Sequence, residues 1–379
     1  MFHRFAAFLS ASALLTACGT TASTTSTDDV TADATTDDSA MTDAVSSDLP
    51  SDISADVLPD VAADAASDSA ADAPTDAASA DTSDLLDALE SDIPPADVPV
   101  LSPAYGAWSE LPSDSTNTLA GIWGSGPSDI WAVGEQGTIV HSEGTTWHAT
   151  ESPTFQWLQA VWGSSASDVW AVGNFGTILH FDGKIWSKVK SGVTDGLFAV
   201  AGAGPDDVWA VGDAGLVLHK DASGWKQVTV PTSAFLYSVW ALAKDDVWIC
   251  GGQGTAIHFD GTTWKATTTG VTGTLEGIWG LATDDVWAAG NGGALLHWDG
   301  KAWTQAAGTD KNSYLFRVWG VAKNDLWASG NMGALLHFDG ATWQKYTIPT
   351  DLQLRGFWGP SQDDVWVIGP AKVVYRYLK

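Results

Sequence analysis

Residues 104–379 are predicted to form an all-β, seven-bladed β-propeller, closed by an N-terminal strand that completes the last blade. Three observations predict it. The tripeptide Asp-(Val/Ile/Leu)-Trp recurs seven times, with its indole at Trp131, Trp170, Trp209, Trp248, Trp287, Trp327 and Trp366, spaced by 39 residues and once by 40. A fixed period of this length marks one supersecondary unit repeated about an axis. Two further Trp slots keep the same period. One is Trp123, Trp162, Trp240, Trp279, Trp319 and Trp358, with Ala201 in the third copy, and the other is Trp147, Trp186, Trp225, Trp264, Trp303 and Trp343. The last unit lacks the third-slot Trp, which stands instead at Trp108, 39 residues before Trp147. A ring must close, whereas an open array has no reason to divide one unit between its two ends.

The chain ahead of the repeats has a different chemistry. Met1–Arg4 gives a short basic start, Phe5–Leu15 an apolar run, and Thr16-Ala17-Cys18 a small-residue cleavage site. That is the pattern of a secretory signal over residues 1–17, too short to span a bilayer. Residues 18–103 are Asp, Ala, Ser and Thr with scattered Pro. Residues 1–100 hold 20 acidic groups against Arg4 alone, out of a formal net charge of −29. Without apolar content to offset chain entropy, this stretch is expected to be a disordered, self-repelling tether. Such acidity excludes nucleic acid as a partner, because phosphates would be repelled.

Within each repeat, turn residues divide four strands. In the fifth copy these are A at 275–280, B at 285–290, C at 294–298 after the Asn291-Gly292-Gly293 turn, and D around Trp303 after Asp299-Gly300. Val286-Trp287-Ala288-Ala289 is apolar on both faces, as a blade packed between two neighbours requires.

Two resemblances add to this reading. Leu15-Thr16-Ala17-Cys18 resembles the bacterial lipobox, which implies diacylglyceryl transfer to the Cys18 sulfur and anchoring to a membrane through that lipid. Gly19, in place of the Asp that retains such proteins at the inner membrane, implies the outer membrane or cell surface. The Asp-Val-Trp-Ala-Val-Gly core resembles bacterial repeat propellers of the BNR or Asp-box-like kind, with a weaker likeness to tectonin-type lectin repeats. The Asp260–Trp264 stretch is one residue shorter than a true Asp-box, and the Gly-His and Trp-Asp dipeptides of WD40 repeats are missing from the required strand ends.

His141, His180, His219, His258, His297 and His337 recur once per blade on strand C. Spread radially, they cannot surround one ion, so no metal and no cofactor are expected, and their partner should be the strand-B Asp or a nearby carbonyl. Asp129, Asp168, Asp207, Asp246, Asp285, Asp325 and Asp364 are expected to cap the A–B turns by accepting backbone N–H bonds. Cys250 stands in a slot that sibling repeats fill with Val or Ala and should be a buried small hydrophobe.

Function should lie where the repeat is broken. Loops D–A and B–C share one rim, around a mouth of the channel. The residue before the recurrent strand-A Leu reads Thr118, Trp157, Gly196, Phe235, Thr274, Tyr314 and Gln353. The residue after it reads Ala120, Gln159, Phe198, Tyr237, Glu276, Phe316 and Arg355. Alternation with Leu puts both sets on one strand face. Arg317 breaks a slot of Gly, Ala and Ser, while Phe175 and Met332 stand out among the B–C turns. The candidate ligand-binding residues are therefore Trp157, Gln159, Phe175, Phe198, Phe235, Tyr237, Glu276, Tyr314, Phe316, Arg317 and Arg355. Aromatics mixed with amide and charged groups suit a sugar, whose C–H faces stack on rings.

Catalysis has little support in the sequence. A sialidase-like glycosidase needs an arginine triad and paired acid groups. The propeller has only Arg317, Arg355 and Arg376, all in the last two blades. The expectation is a non-enzymatic, monomeric envelope protein that binds a glycan or another small ligand at the channel mouth. The alternative is a scaffold for an envelope protein.

Overall fold

A computed structural model describes residues 107–379, apart from Pro112, Gly308 and residues 371–373. The expected signal segment, Cys18 and the tether lie outside the described residues. The described chain forms seven four-stranded antiparallel sheets, each a blade with strands in the order A-B-C-D. Blade 1 comprises Leu119–Gly126, Asp129–Gly134, Ile139–Ser142 and Trp147–Ala149. Blades 2 to 6 repeat this plan, and in blade 5 strand A runs Leu275–Ala282, two residues beyond the sequence estimate.

Blade 7 closes the ring as the displaced Trp foretold. Its strands A, B and C are Gly356–Ser361, Asp364–Ile368 and Val374–Leu378, and strand D is Ala107–Glu110 from the other end of the described chain. Trp108 is registered against Tyr377, and Glu110 against Tyr375.

The core lies between the blades. Strand B is buried along its whole length in blades 3, 4 and 5, so its alternate residues face opposite neighbours. The strand-D Trp of each blade meets the strand-B Trp of the preceding blade in an edge-to-face pair. Trp186 lies 5.3 Å from Trp131 and Trp225 5.5 Å from Trp170. The series closes through Trp108–Trp327 at 5.4 Å and Trp147–Trp366 at 5.8 Å. Such pairs add to the burial of the rings themselves. The strand-A Trp fills a second seam against glycine. A Cβ on Gly163 would lie 2.6 Å from the Trp123 ring, and one on Gly124 would lie 2.8 Å from Trp358, so only glycine admits the indole.

Each recurrent His bonds through Nε2 to the strand-B Asp, from 2.6 Å at His141–Asp129 to 2.9 Å at His337–Asp325. The imidazole also stacks on the strand-B Trp, at 3.9 Å between centroids for Trp209–His219. The turn-capping role expected for these Asp residues is not what the structure shows. Six of the carboxylates meet the histidines and Asp364 meets Arg376, with the Ser164 hydroxyl at 2.5 Å added in blade 2, rather than turn backbone N–H groups. The physical reason is that strand C brings an imidazole 12 residues on directly against the Asp. Cys250 is fully buried, as expected, and its Sγ faces the Leu275 carbonyl at 3.5 Å.

Candidate functional site

The rim residues are placed by two local devices. The first is the B–C turn. Glu135-Gln136-Gly137-Thr138 closes with Thr138 N–H donating to the Glu135 carbonyl, and both central residues are left-handed, with φ of 55° and 72°. This is the hairpin turn whose twist matches the strands. The first turn residue hooks the preceding D–A loop, since Glu135 N–H donates to the Thr118 carbonyl and Asn174 N–H to that of Trp157. The residues before the recurrent Leu are thus tied to the turn by their backbone.

The second device is a β-bulge at the start of strand A. Leu119 pairs with Gly134 and Gly121 with Val133, so Ala120 is an extra, unpaired residue. The same shift leaves Gln159, Phe198, Tyr237, Glu276 and Phe316 unpaired in blades 2 to 6. A bulge re-aims the side chain it carries. The two residues flanking Leu remain neighbours, as Phe235 beside Tyr237 at 6.4 Å and Tyr314 beside Phe316 at 5.2 Å show, but only the second of each pair lines the cavity.

The six bulge side chains converge with Arg355, which follows the recurrent Leu in blade 7. Ala120, Gln159, Phe198, Tyr237, Glu276, Phe316 and Arg355, one from each blade, line a cavity of about 310 Å³ together with Arg317. Phe198 and Tyr237 stack at 5.5 Å with planes 18° apart. Across the ring, the Arg355 guanidinium lies 5.7 Å from the Phe316 ring centroid, and its Nη2 donates to Gln353 Oε1 at 2.6 Å. The Arg355 Nε is enclosed without a hydrogen-bond partner. Arg317 Nη1 donates to the carbonyls of Glu276 and Phe316, both at 2.9 Å. Burial pulls the Arg317 pKa below its ordinary value, and the Glu276 carboxylate opposes that shift.

Four sequence candidates do not line this cavity. Tyr314 supports it from behind, its hydroxyl donating to Glu276 Oε1 at 2.5 Å. Burial and that bond push its pKa up, and burial, Glu276 and Asp213 do the same for Tyr237. Phe235 stacks on the outside of Tyr237 at 6.4 Å and is 49% exposed. Trp157 is half-buried, held by its backbone to the B–C turn. Phe175 lies at the tip of the blade-2 turn, in a separate groove with Phe155. Sequence reasoning missed Phe155, although Thr116, Thr194, Ser233 and Thr272 at equivalent positions mark it as a break.

Among the described residues, no three His, Cys, Asp or Glu side chains come together as a metal site. Glu276 is the one carboxylate lining the cavity.

No protein-family model matches the sequence, and no curated protein matches it. Solved structures do. YCF48 bound to D1 peptide superposes with a TM-score of 0.61 at 18% identity, over 73% of this chain and 96% of that one. YCF48 from Cyanidioschyzon merolae gives 0.60 at 17% identity, over 72% and 99%. The WD40 propeller domain of Doa1 gives 0.60 at 12%, over 72% and 96%. The likeness is one of fold.

Proposed function

We propose that this chain is a lipid-anchored protein of the bacterial envelope, similar to the BNR-like repeat propellers, whose non-catalytic propeller binds a glycan or comparable small ligand in the mouth cavity. The observation that carries it is the convergence on a single cavity of the residue after the recurrent Leu, one from every blade. The repeat supplies the frame, and the residues that vary between copies supply the wall. The exposed edges of the Phe198–Tyr237 stack offer apolar surface for a ring C–H face, while Gln159, Glu276 and Arg355 offer an amide, a carboxylate and a guanidinium to hydroxyls. A glycosidase would need a second carboxylate across the bound sugar. Glu276 has none within the cavity lining, so binding without turnover fits the geometry better.

The lipid anchor rests on the likeness of Leu15–Cys18 to the lipobox. Radiolabelled palmitate incorporation into the full chain, lost in Cys18→Ser, tests it. Absence of label in both would remove the anchor from the account.

A second reading, a protein segment in place of the glycan, is favoured by the solved complex of YCF48 with a peptide. Screening the full chain against a glycan array and a peptide array separates the two. Saturable binding to a glycan class that Tyr237→Ala abolishes supports the first reading. Peptide binding alone, with the same loss, transfers the cavity to the second.

A further inference from the structure

Away from the cavity, blade 2 departs from its siblings in a way the proposed function does not use. Phe155, in the loop entering the blade, is 91% exposed, and Phe175, at its B–C turn, is 71% exposed. Both line a groove of about 710 Å³ that runs along the end of strand D, Trp186–Val189. The groove contains Lys188 and Lys190 but no acidic residue, in a chain with 46 Asp and Glu. Among the described residues, neither lysine's ammonium group has a hydrogen bond or ion pair, whereas those of Lys220, Lys226 and Lys265 each hold an Asp.

The sibling groove in blade 4 shows what the repeat makes by default. It measures about 550 Å³, and blade 4 has Ser233 where blade 2 has Phe155, and Gln253 where blade 2 has Phe175. It is lined without an aromatic or a lysine. Phe175 also sits in left-handed backbone, φ 57°, a conformation disfavoured for a bulky side chain and free for glycine. Blade 5 uses Gly292 at that place. A large apolar residue held there in water serves neither the turn nor the core.

We infer that this groove docks an extended acidic segment of a partner protein, with an apolar side chain seated between Phe155 and Phe175 and carboxylates meeting Lys188 and Lys190. Charge complementarity selects that occupant. Strand D is also the outer edge of its blade, leaving backbone N–H and C=O groups for an added strand. The site is separate from the mouth cavity, since none of the cavity-lining side chains lines the groove.

The test uses the full chain and an array of synthetic peptides, each with one Phe, Trp or Leu anchor flanked by Asp and Glu, beside a matched set flanked by Lys and Arg. The expected result is at least tenfold tighter binding to the acidic set. That binding should fall at least tenfold in Phe155→Thr/Phe175→Gly, and severalfold in Lys188→Gln/Lys190→Gln with a flatter salt dependence. Gln253→Gly, at the same turn position in blade 4, should leave it unchanged. Equal binding of both sets, or binding indifferent to the Phe155→Thr/Phe175→Gly change, overturns the inference. So does either of two other outcomes that the same change abolishes: binding to phosphatidylglycerol–phosphatidylcholine vesicles without peptide binding, or self-association in sedimentation.

Discussion

The Tyr314 hydroxyl donates to Glu276 Oε1 at 2.5 Å, joining the loop that enters blade 6 to the bulge residue of blade 5. This bond fixes the single carboxylate in the cavity wall and ties cavity shape to the protonated phenol. Burial and the neighbouring carboxylate raise the Tyr314 pKa above the ordinary value of 10. A group whose pKa is higher in the folded state contributes stability that is fully present below the unfolded value and is lost as pH rises through the folded one. The part of the urea midpoint that Tyr314 contributes should therefore hold up to about pH 10 and fall away above it. Tyr314→Phe should flatten that fall, and an unchanged slope in the variant would contradict the assignment.

Closure of the ring can be probed at Trp108. Its indole packs against Trp327 at 5.4 Å and Tyr377 at 5.5 Å. Trp108→Ala should lower stability by about 2–4 kcal/mol in chemical denaturation, somewhat less than a fully buried Trp because the ring is partly exposed. A loss under about 0.5 kcal/mol, the size of an ordinary surface change, would mean that this strand does not hold blade 7.

Arg376 in blade 7 takes the place of the strand-C His. Its Nε and Nη2 donate to the two oxygens of Asp364 at 2.7 and 2.8 Å, and its guanidinium lies 4.6 Å from the Trp366 ring. Nη1 also reaches the Gly144 carbonyl in blade 1 at 2.9 Å, a link across the closing seam. Arg376→Ala should cost about 3 kcal/mol, since it leaves a largely buried carboxylate unpaired. Arg376→His, which restores the partner used in the other six blades, should recover most of that loss.

Phe175→Gly should leave thermal stability unchanged or raise it slightly. Removing a bulky residue from left-handed backbone relieves strain of about 1 kcal/mol, which offsets the added freedom of glycine in the unfolded chain. A marked drop in melting temperature would show instead that the ring contributes to the fold.

The ring, the slot occupied by each Trp and the His–Asp partnership were legible because a period turns each residue into seven observations. The closing strand was legible for the same reason, as Trp108 was out of place only against that period. The site was half legible. The residues around each recurrent Leu were the right ones to examine, but a bulge is a change of register that no residue type announces. Alternation named both Trp157 and Gln159 and did not show that only the bulge residue lines the cavity, while the turn holds Trp157 by its backbone. The turn-capping role given to Asp129 and its siblings failed because their partner is 12 residues away, on the neighbouring strand. Local sequence favours the near partner; the sheet supplies the distant one.

Isothermal titration of the full chain and of its Tyr237→Ala and Glu276→Gln variants, with the best glycan from an array, weighs the mouth cavity most directly. Binding by the wild-type chain that drops at least tenfold in each variant, with unchanged melting temperatures, is the expected result. Equal affinity in all three proteins would contradict it.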